Sequence, residues 1–165
     1  MRFKWVPEPP DSLGELDDAR RAIPLVPASE ADCVSRLVDR TAWIDDRGTA
    51  NEWLTFLRAV GLVEQVSGGY RRHHQELTAD TLLNRLCDGV YGARELRDAL
   101  AAADKPLSTD ALVDRAAALP TWERHHQTDH KRVHRRRQRR LADWFVLCGT
   151  AEKTPTGYQF VEPQP

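Results

Sequence analysis

The chain repeats itself, and the repeat limits its fold more than any other feature. Gly61-Leu62-Val63-Glu64 is followed, after four residues, by Gly69-Tyr70. The same pattern returns as Gly149-Thr150-Ala151-Glu152, then four residues, then Gly157-Tyr158. The Gly, Glu, Gly and Tyr positions match without a gap at an offset of 149 − 61 = 88 residues. Upstream, Trp53, Phe56, Leu57 and Val60 stand where Leu141, Trp144, Phe145 and Cys148 stand in the second copy. Further back, Leu37-Val38-Asp39-Arg40-Thr41-Ala42 pairs with Leu112-Val113-Asp114-Arg115-Ala116-Ala117. That block precedes its glycine by 61 − 37 = 24 residues in the first copy and 149 − 112 = 37 in the second, so the second copy carries about 13 additional residues. A long period of this kind marks one supersecondary unit used twice.

Each unit reads in the same order. An apolar helix (49–60, and about 121–148) ends at Gly61 or Gly149, because glycine tolerates the left-handed backbone that terminates helices. A short strand (62–66, 150–154), a turn (Ser67-Gly68-Gly69, Pro155-Thr156-Gly157) and a second strand from Tyr70 or Tyr158 predict a hairpin. Before the apolar helix lies another (29–40, 109–117), with Ser29 and either Ser108 or Thr109 as N-caps. A first helix precedes that (12–22, 92–103), opened in the first copy by a capping box of Ser12 with Glu15. Ile23–Val26 and Pro106-Leu107 are short apolar pieces expected to add a small third strand.

Helix, short strand, helix, helix, hairpin is the order of a winged helix. The chain resembles that superfamily across both units. The residues that carry the likeness are Thr49-Ala50-Asn51-Glu52-Trp53-Leu54-Thr55-Phe56-Leu57, running into Gly61-Leu62-Val63-Glu64 and the Gly69-Tyr70 turn. The resemblance implies a mostly α fold with small β-hairpin wings (α+β): a first winged-helix domain over 1–75, a connecting helix over 76–91 and a second domain over 92–165. It implies binding rather than catalysis, with the third helix of a domain entering the major groove of DNA and the wing touching the backbone. Transcriptional regulation is the expected role. Tandem winged helices also resemble the kleisin-binding segregation and condensation protein and general transcription-factor subunits, so a protein-interaction scaffold is the alternative.

Charge favours the first of these. Residues 1–120 carry 15 basic and 20 acidic side chains, whereas residues 121–165 carry 9 and 5. Arginine outnumbers lysine 20 to 4, a composition of the kind encoded by G+C-rich genomes, halophiles among them. In that background a net charge of only −1 points to a basic patch. Seven of the ten residues from 131 to 140 are Lys or Arg. With Leu141 at the centre of the buried face, a rotation of about 100° per residue turns Arg132, Arg135, Arg136 and Arg139 outward, flanked by Lys131 and Arg140. So dense a row of like charge calls for counterions, and phosphate suits arginine. Arg71, Arg72 and Lys153, at or near the two wings, are the further candidates for nucleic-acid contact. The outward face of helix 49–60 (Asn51, Glu52, Thr55, Arg58, Ala59) sums to zero charge.

Arg137, His134, His130 and His126 share the arc of Leu141, which a compact core would not favour. They predict that the first half of this helix extends beyond the domain body, where a second copy of the chain or DNA can lie along it; a homodimer is expected on that ground. The i, i+4, i+8 histidine row invites a metal. Cys148 lies ~27 Å further along the helix, so no metal is assigned. No cofactor is expected either. The three cysteines, Cys33, Cys87 and Cys148, read as buried apolar residues. No glycine loop for phosphate and no nucleophile elbow is present, so no catalytic residue is assigned. The first eleven residues do not read as a signal peptide, and no apolar run approaches the ~18 residues of a membrane span. A cytoplasmic protein is the expectation.

Overall fold

The computed structural model describes residues 5–115 and 130–162. The chain divides into two compact units, Met1–Val90 and Tyr91–Pro165. In the first, α1 (Leu13–Ala22), α2 (Glu30–Arg40) and α3 (Arg47–Ala59) lead into a hairpin of β1 (Val63–Val66) and β2 (Gly69–Arg72), followed by α4 (Ala79–Gly89). In the second, α5 (Ala93–Ala102), α6 (Thr109–Arg115) and α7 (His130–Leu147) lead into β3 (Ala151–Thr154) and β4 (Gly157–Phe160). Both hairpins are antiparallel, with Val63 opposite Arg72 and Ala151 opposite Phe160. The two registers coincide at the offset of 88 residues (63 + 88 = 151, 72 + 88 = 160). The duplication is therefore structural as well as sequential.

Local chemistry sets the helix boundaries. The side chains of Ser12, Ser29 and Ser108 accept from the backbone N–H groups of Glu15, Asp32 and Ala111, supplying partners for donors that a helix start leaves open. The expected capping box at Ser12 is only half formed: the Glu15 carboxylate takes the N–H of Asp11 at 2.9 Å, one residue before the cap. Helix α3 begins two residues earlier than the sequence predicts, because Asp46 caps it by accepting from the Thr49 N–H at 2.8 Å. Its far end is held by α4. Arg85 donates from Nη1 to the carbonyl of Gly61 at 2.6 Å, where Gly61 turns the chain at φ +71°. The helix expected as a connector over 76–91 is α4, opened by a capping box of Thr78 with Thr81 and lying within the first unit.

The third strand is a single bridge in each copy, at Leu107 as expected in the second and displaced from the expected residues in the first. A single bridge joins Ala28 to Tyr70, and another joins Leu107 to Tyr158. In the first unit it falls beyond Ile23–Val26, and Pro24 and Pro27, on either side of Leu25 and Val26, cannot donate to a ladder. Leu25 and Val26 consequently stand in solvent, 53% and 70% exposed.

Each unit has its own core. Leu16, Ile23, Leu37, Ile44, Phe56 and Leu57 are fully buried in the first, and Leu96, Leu100, Leu112, Leu141, Trp144 and Phe145 in the second. Trp53 is buried edge-on between Trp43 at 4.7 Å and Phe56 at 5.5 Å. Cys33, Cys87 and Cys148 are buried free thiols, as the sequence predicts; for Cys33, burial pushes the pKa up. Truncating Leu57 to alanine is expected to cost about 2–5 kcal/mol in chemical denaturation, the usual loss for a core leucine. A change within error of zero would mean that its face of α3 is not the buried one.

Arg137 overturns part of the expectation for the long helix. It is buried in the wall of the second unit, where Nη2 donates to the carbonyl of Tyr91 at 2.6 Å and the guanidinium lies 5.9 Å from the Tyr91 ring. A charged residue on the buried arc is stable here because a backbone acceptor and an aromatic face meet it. Gln138 beside it is buried as well. The helix therefore packs on its domain from at least Arg137 onward. Residues 121–129, where the projecting part is expected, lie outside the described residues.

Candidate nucleic-acid interface

Helix α7 is amphipathic in an unusual way, with an apolar stripe on one side and an almost wholly cationic one on the other. Leu141, Trp144, Phe145 and Cys148 are buried at helical spacing. Arg132, Arg135, Arg136 and Arg139 recur at i, i+3, i+4 and i+7, and all four are exposed. Arginine is a good helix former, so a stripe of this composition does not weaken the helix by propensity. Together with Thr109 at the start of α6, the four arginines line a cleft of about 370 Å³. The structure thus brings together the four side chains that the sequence singles out and adds Thr109 to them. Lys131 is also exposed, whereas Arg140 is half-buried.

Two carboxylates border this cationic surface. Asp110, next to Thr109 on α6, accepts from Nη1 of Arg135 at 2.8 Å, and both side chains are largely exposed. Asp143 is the one acidic residue within His130–Leu147. It accepts from the Tyr158 hydroxyl at 2.6 Å and pairs with Lys153 Nζ at 3.1 Å, tying the wing to the helix. The Lys153 ammonium lies 5.7 Å from the Tyr158 ring. Burial first, and then the bond to Asp143, hold the Tyr158 phenol in its protonated form well above the ordinary tyrosine range.

The other candidates are held differently. Arg71 is matched across the first hairpin by Glu64 at 2.6 Å, and that bond draws the Glu64 carboxyl below its usual range. Arg72 reaches back to the carbonyl of Arg21 at 2.8 Å and serves to fasten β2 to α1. Both belong to the first unit, whereas the α7 arginines and Lys153 belong to the second. Of the histidine row, His134 is half-buried; His126 and the His130 side chain lie outside the described residues.

The corresponding face of the first unit lacks the stripe. At the offset of 88, Arg139 corresponds to Asn51, Arg136 to Gly48 and Arg135 to Arg47, while Arg132 corresponds to Ile44, which is buried ahead of α3. The early start of α3 adds Arg47 to a face that otherwise sums to zero, and Arg47 donates to the Ser35 hydroxyl at 3.0 Å. Among the described residues its Tyr70 has no carboxylate partner like Asp143; instead the Arg58 guanidinium lies 5.8 Å from the ring. Two copies of one scaffold thus carry different surface chemistry. Sequence reasoning missed Thr109, Asp110 and Asp143. Asp143 was open to detection, since it stands four residues after Arg139 on the same face. Nothing in sequence spacing links Asp110 to Arg135, which is 25 residues away (135 − 110).

Two copies of a three-helix body with a hairpin, each closed by a single bridge to the segment before its second helix, define a tandem winged-helix protein. Residues 1–164 match the family model of the halobacterial double winged helix domain. The chain belongs to that family. No curated protein and no solved structure matches it. Among the described residues, no helix is long and apolar enough to cross a membrane.

Proposed function

We propose that this protein binds double-stranded DNA through α7 of its second winged helix, and that it acts as a transcriptional regulator without chemistry of its own. The observation that carries the reading is the row of four exposed arginines on the third helix of the second unit, set against an equivalent face of the first unit without such a row. That helix holds the place of the groove-reading element in winged helices. Guanidinium groups at one-turn spacing suit successive phosphates or a guanine edge, and each phosphate neutralised releases condensed counterions. Lys131, Arg140 and Lys153 extend the cationic surface, and Arg71 and Arg72 are secondary contacts of the first wing.

The test is a titration of fluorescent duplex DNA with the purified protein at several salt concentrations. Binding is expected, with log K falling against log salt at a slope of roughly −3.6 or steeper, about 0.9 for each of four phosphates. Absence of salt-dependent binding removes the reading. A scaffold role is then the better one, and one observation favours it independently: Leu25 and Val26 stand exposed on the first unit, where the corresponding loop of the second unit carries Asp104 and Lys105. The homodimer is a proposal of the same rank, checked by sedimentation with and without DNA.

A further inference from the structure

One arginine of the cleft on α7 is already paired with a negative group. Arg135 contributes its guanidinium both to the cleft and to the carboxylate of Asp110, 2.8 Å away. Asp110 stands beside Thr109, which lines the same cleft from α6. One carboxylate is thus already paired with one of the four arginines that line the cleft. The pair is open to water, with Arg135 58% and Asp110 74% exposed, so solvent and salt screen it and little free energy is needed to part it. A phosphodiester carries the same single charge as the carboxylate, but its binding also releases the counterions condensed on DNA, and neighbouring guanidinium groups of the cleft favour it as well.

From these observations we propose that the Arg135 side of the cleft is a subsite for one of the backbone phosphates that the four arginines neutralise, and that this phosphate takes Arg135 over from Asp110. Asp110 is the internal competitor that sets the affinity of the site. This rests on the nucleic-acid reading and goes beyond it in two ways. It assigns the cleft to the backbone, so its contribution is the same for every sequence. It also gives a negative residue a defined role in a binding surface made of positive ones. No covalent step is involved. The carboxylate turns to solvent when phosphate arrives.

The experiment compares wild type, Asp110→Asn, Arg135→Gln and the double variant on two duplexes of unrelated sequence, each over a range of salt. Circular dichroism shows that each variant is folded. Asp110→Asn is expected to bind both duplexes tighter by about two- to fivefold, the range that an exposed ion pair corresponds to, and by the same factor on each. Arg135→Gln is expected to bind both more weakly, with a slope shallower by about 0.9. In the Arg135→Gln background, adding Asp110→Asn is expected to change the affinity by less than in wild type, because the group being competed for is gone. Weaker or unchanged binding by Asp110→Asn overturns the competitor role. Tightening on one duplex alone overturns the backbone assignment, since it means that the position reads a base edge. If wild type binds duplex DNA in a salt-dependent way and these outcomes still fail, only the subsite is lost. If wild type binds no duplex at any salt, the nucleic-acid reading falls with it.

Discussion

Changing Arg132, Arg135, Arg136 and Arg139 together to alanine is expected to remove duplex binding from a protein that remains folded. At about 0.1 M salt, counterion release is worth roughly 10^0.9 per phosphate contact relative to 1 M, so four contacts amount to on the order of 10³-fold in affinity. The fold is expected to survive the change. All four side chains are exposed, and the ion pair of Arg135 with Asp110 is of the exposed kind that contributes at most about 1 kcal/mol. Alanine also has a higher helix propensity than arginine. Circular dichroism and a denaturation midpoint near that of wild type establish the folded control. The binding titration then decides. Unchanged affinity in a folded variant means that the arginine face is not the interface. The contrasting variant is Arg71→Ala, where Glu64 already neutralises the side chain across the hairpin and a much smaller loss is expected.

The second large effect belongs to a glycine. Gly157→Ala is expected to destabilise the second unit by about 4–6 kcal/mol, whereas Gly149→Ala costs only about 1–2. Both have positive φ, +150° and +76°. They differ in what a side chain would meet. A Cβ on Gly157 would lie 2.1 Å from the carbonyl oxygen of Leu107 and 2.8 Å from the N–H nitrogen of Ser108, all of it backbone that cannot swing away. Making room parts the bridge in which Leu107 and Tyr158 exchange two hydrogen bonds at 2.8 and 2.9 Å. A Cβ on Gly149 would meet nothing within 4 Å, leaving only the strain of the left-handed backbone. Gly69 repeats the case in the first unit, 2.0 Å from the carbonyl oxygen of Ala28. Thermal denaturation of the two alanine variants side by side measures the difference. Equal losses would show that the bridge does not constrain the hairpin.

Much of this architecture was legible because it depends on local rules. Gly61 and Gly149 announce helix ends, Ser12, Ser29 and Ser108 announce helix starts, and the offset between copies carries each boundary from one unit to the other. The outward direction of the four arginines follows from helical rotation alone. What was misread depends on partners far away in sequence. Arg137 looks misplaced on an apolar arc until the carbonyl of Tyr91, 46 residues earlier, is brought to it. Asp110 is an ordinary first-turn acid until α6 and α7 pack together. The third strand shrank to one bridge for a reason that was on view, the two prolines around Leu25 and Val26, but apolar character outweighed it in the reading. Sequence periodicity reports which way a side chain faces, and only the assembled chain reports what it meets there.

The duplicated closure has a consequence for how the chain is made. Each unit is completed by a long-range contact, Ala28 with Tyr70 at a separation of 70 − 28 = 42 residues and Leu107 with Tyr158 at 158 − 107 = 51. Because the hairpins share register and glycine placement, the bridging segment of one copy would find much the same backbone in the hairpin of the other if it strayed there. Exchange of equivalent elements is the characteristic misassembly of repeated domains. On the ribosome, however, every residue of the first closure has been synthesised by Tyr70, before the chain has reached Leu107. At about 5–20 residues per second, the 158 − 70 = 88 residues that separate the two tyrosines take several seconds to add. Small helical domains fold in far less time than that. Vectorial synthesis thus lets the first hairpin find its own segment while its rival does not yet exist, a temporal separation that a denatured full-length chain diluted into buffer does not have.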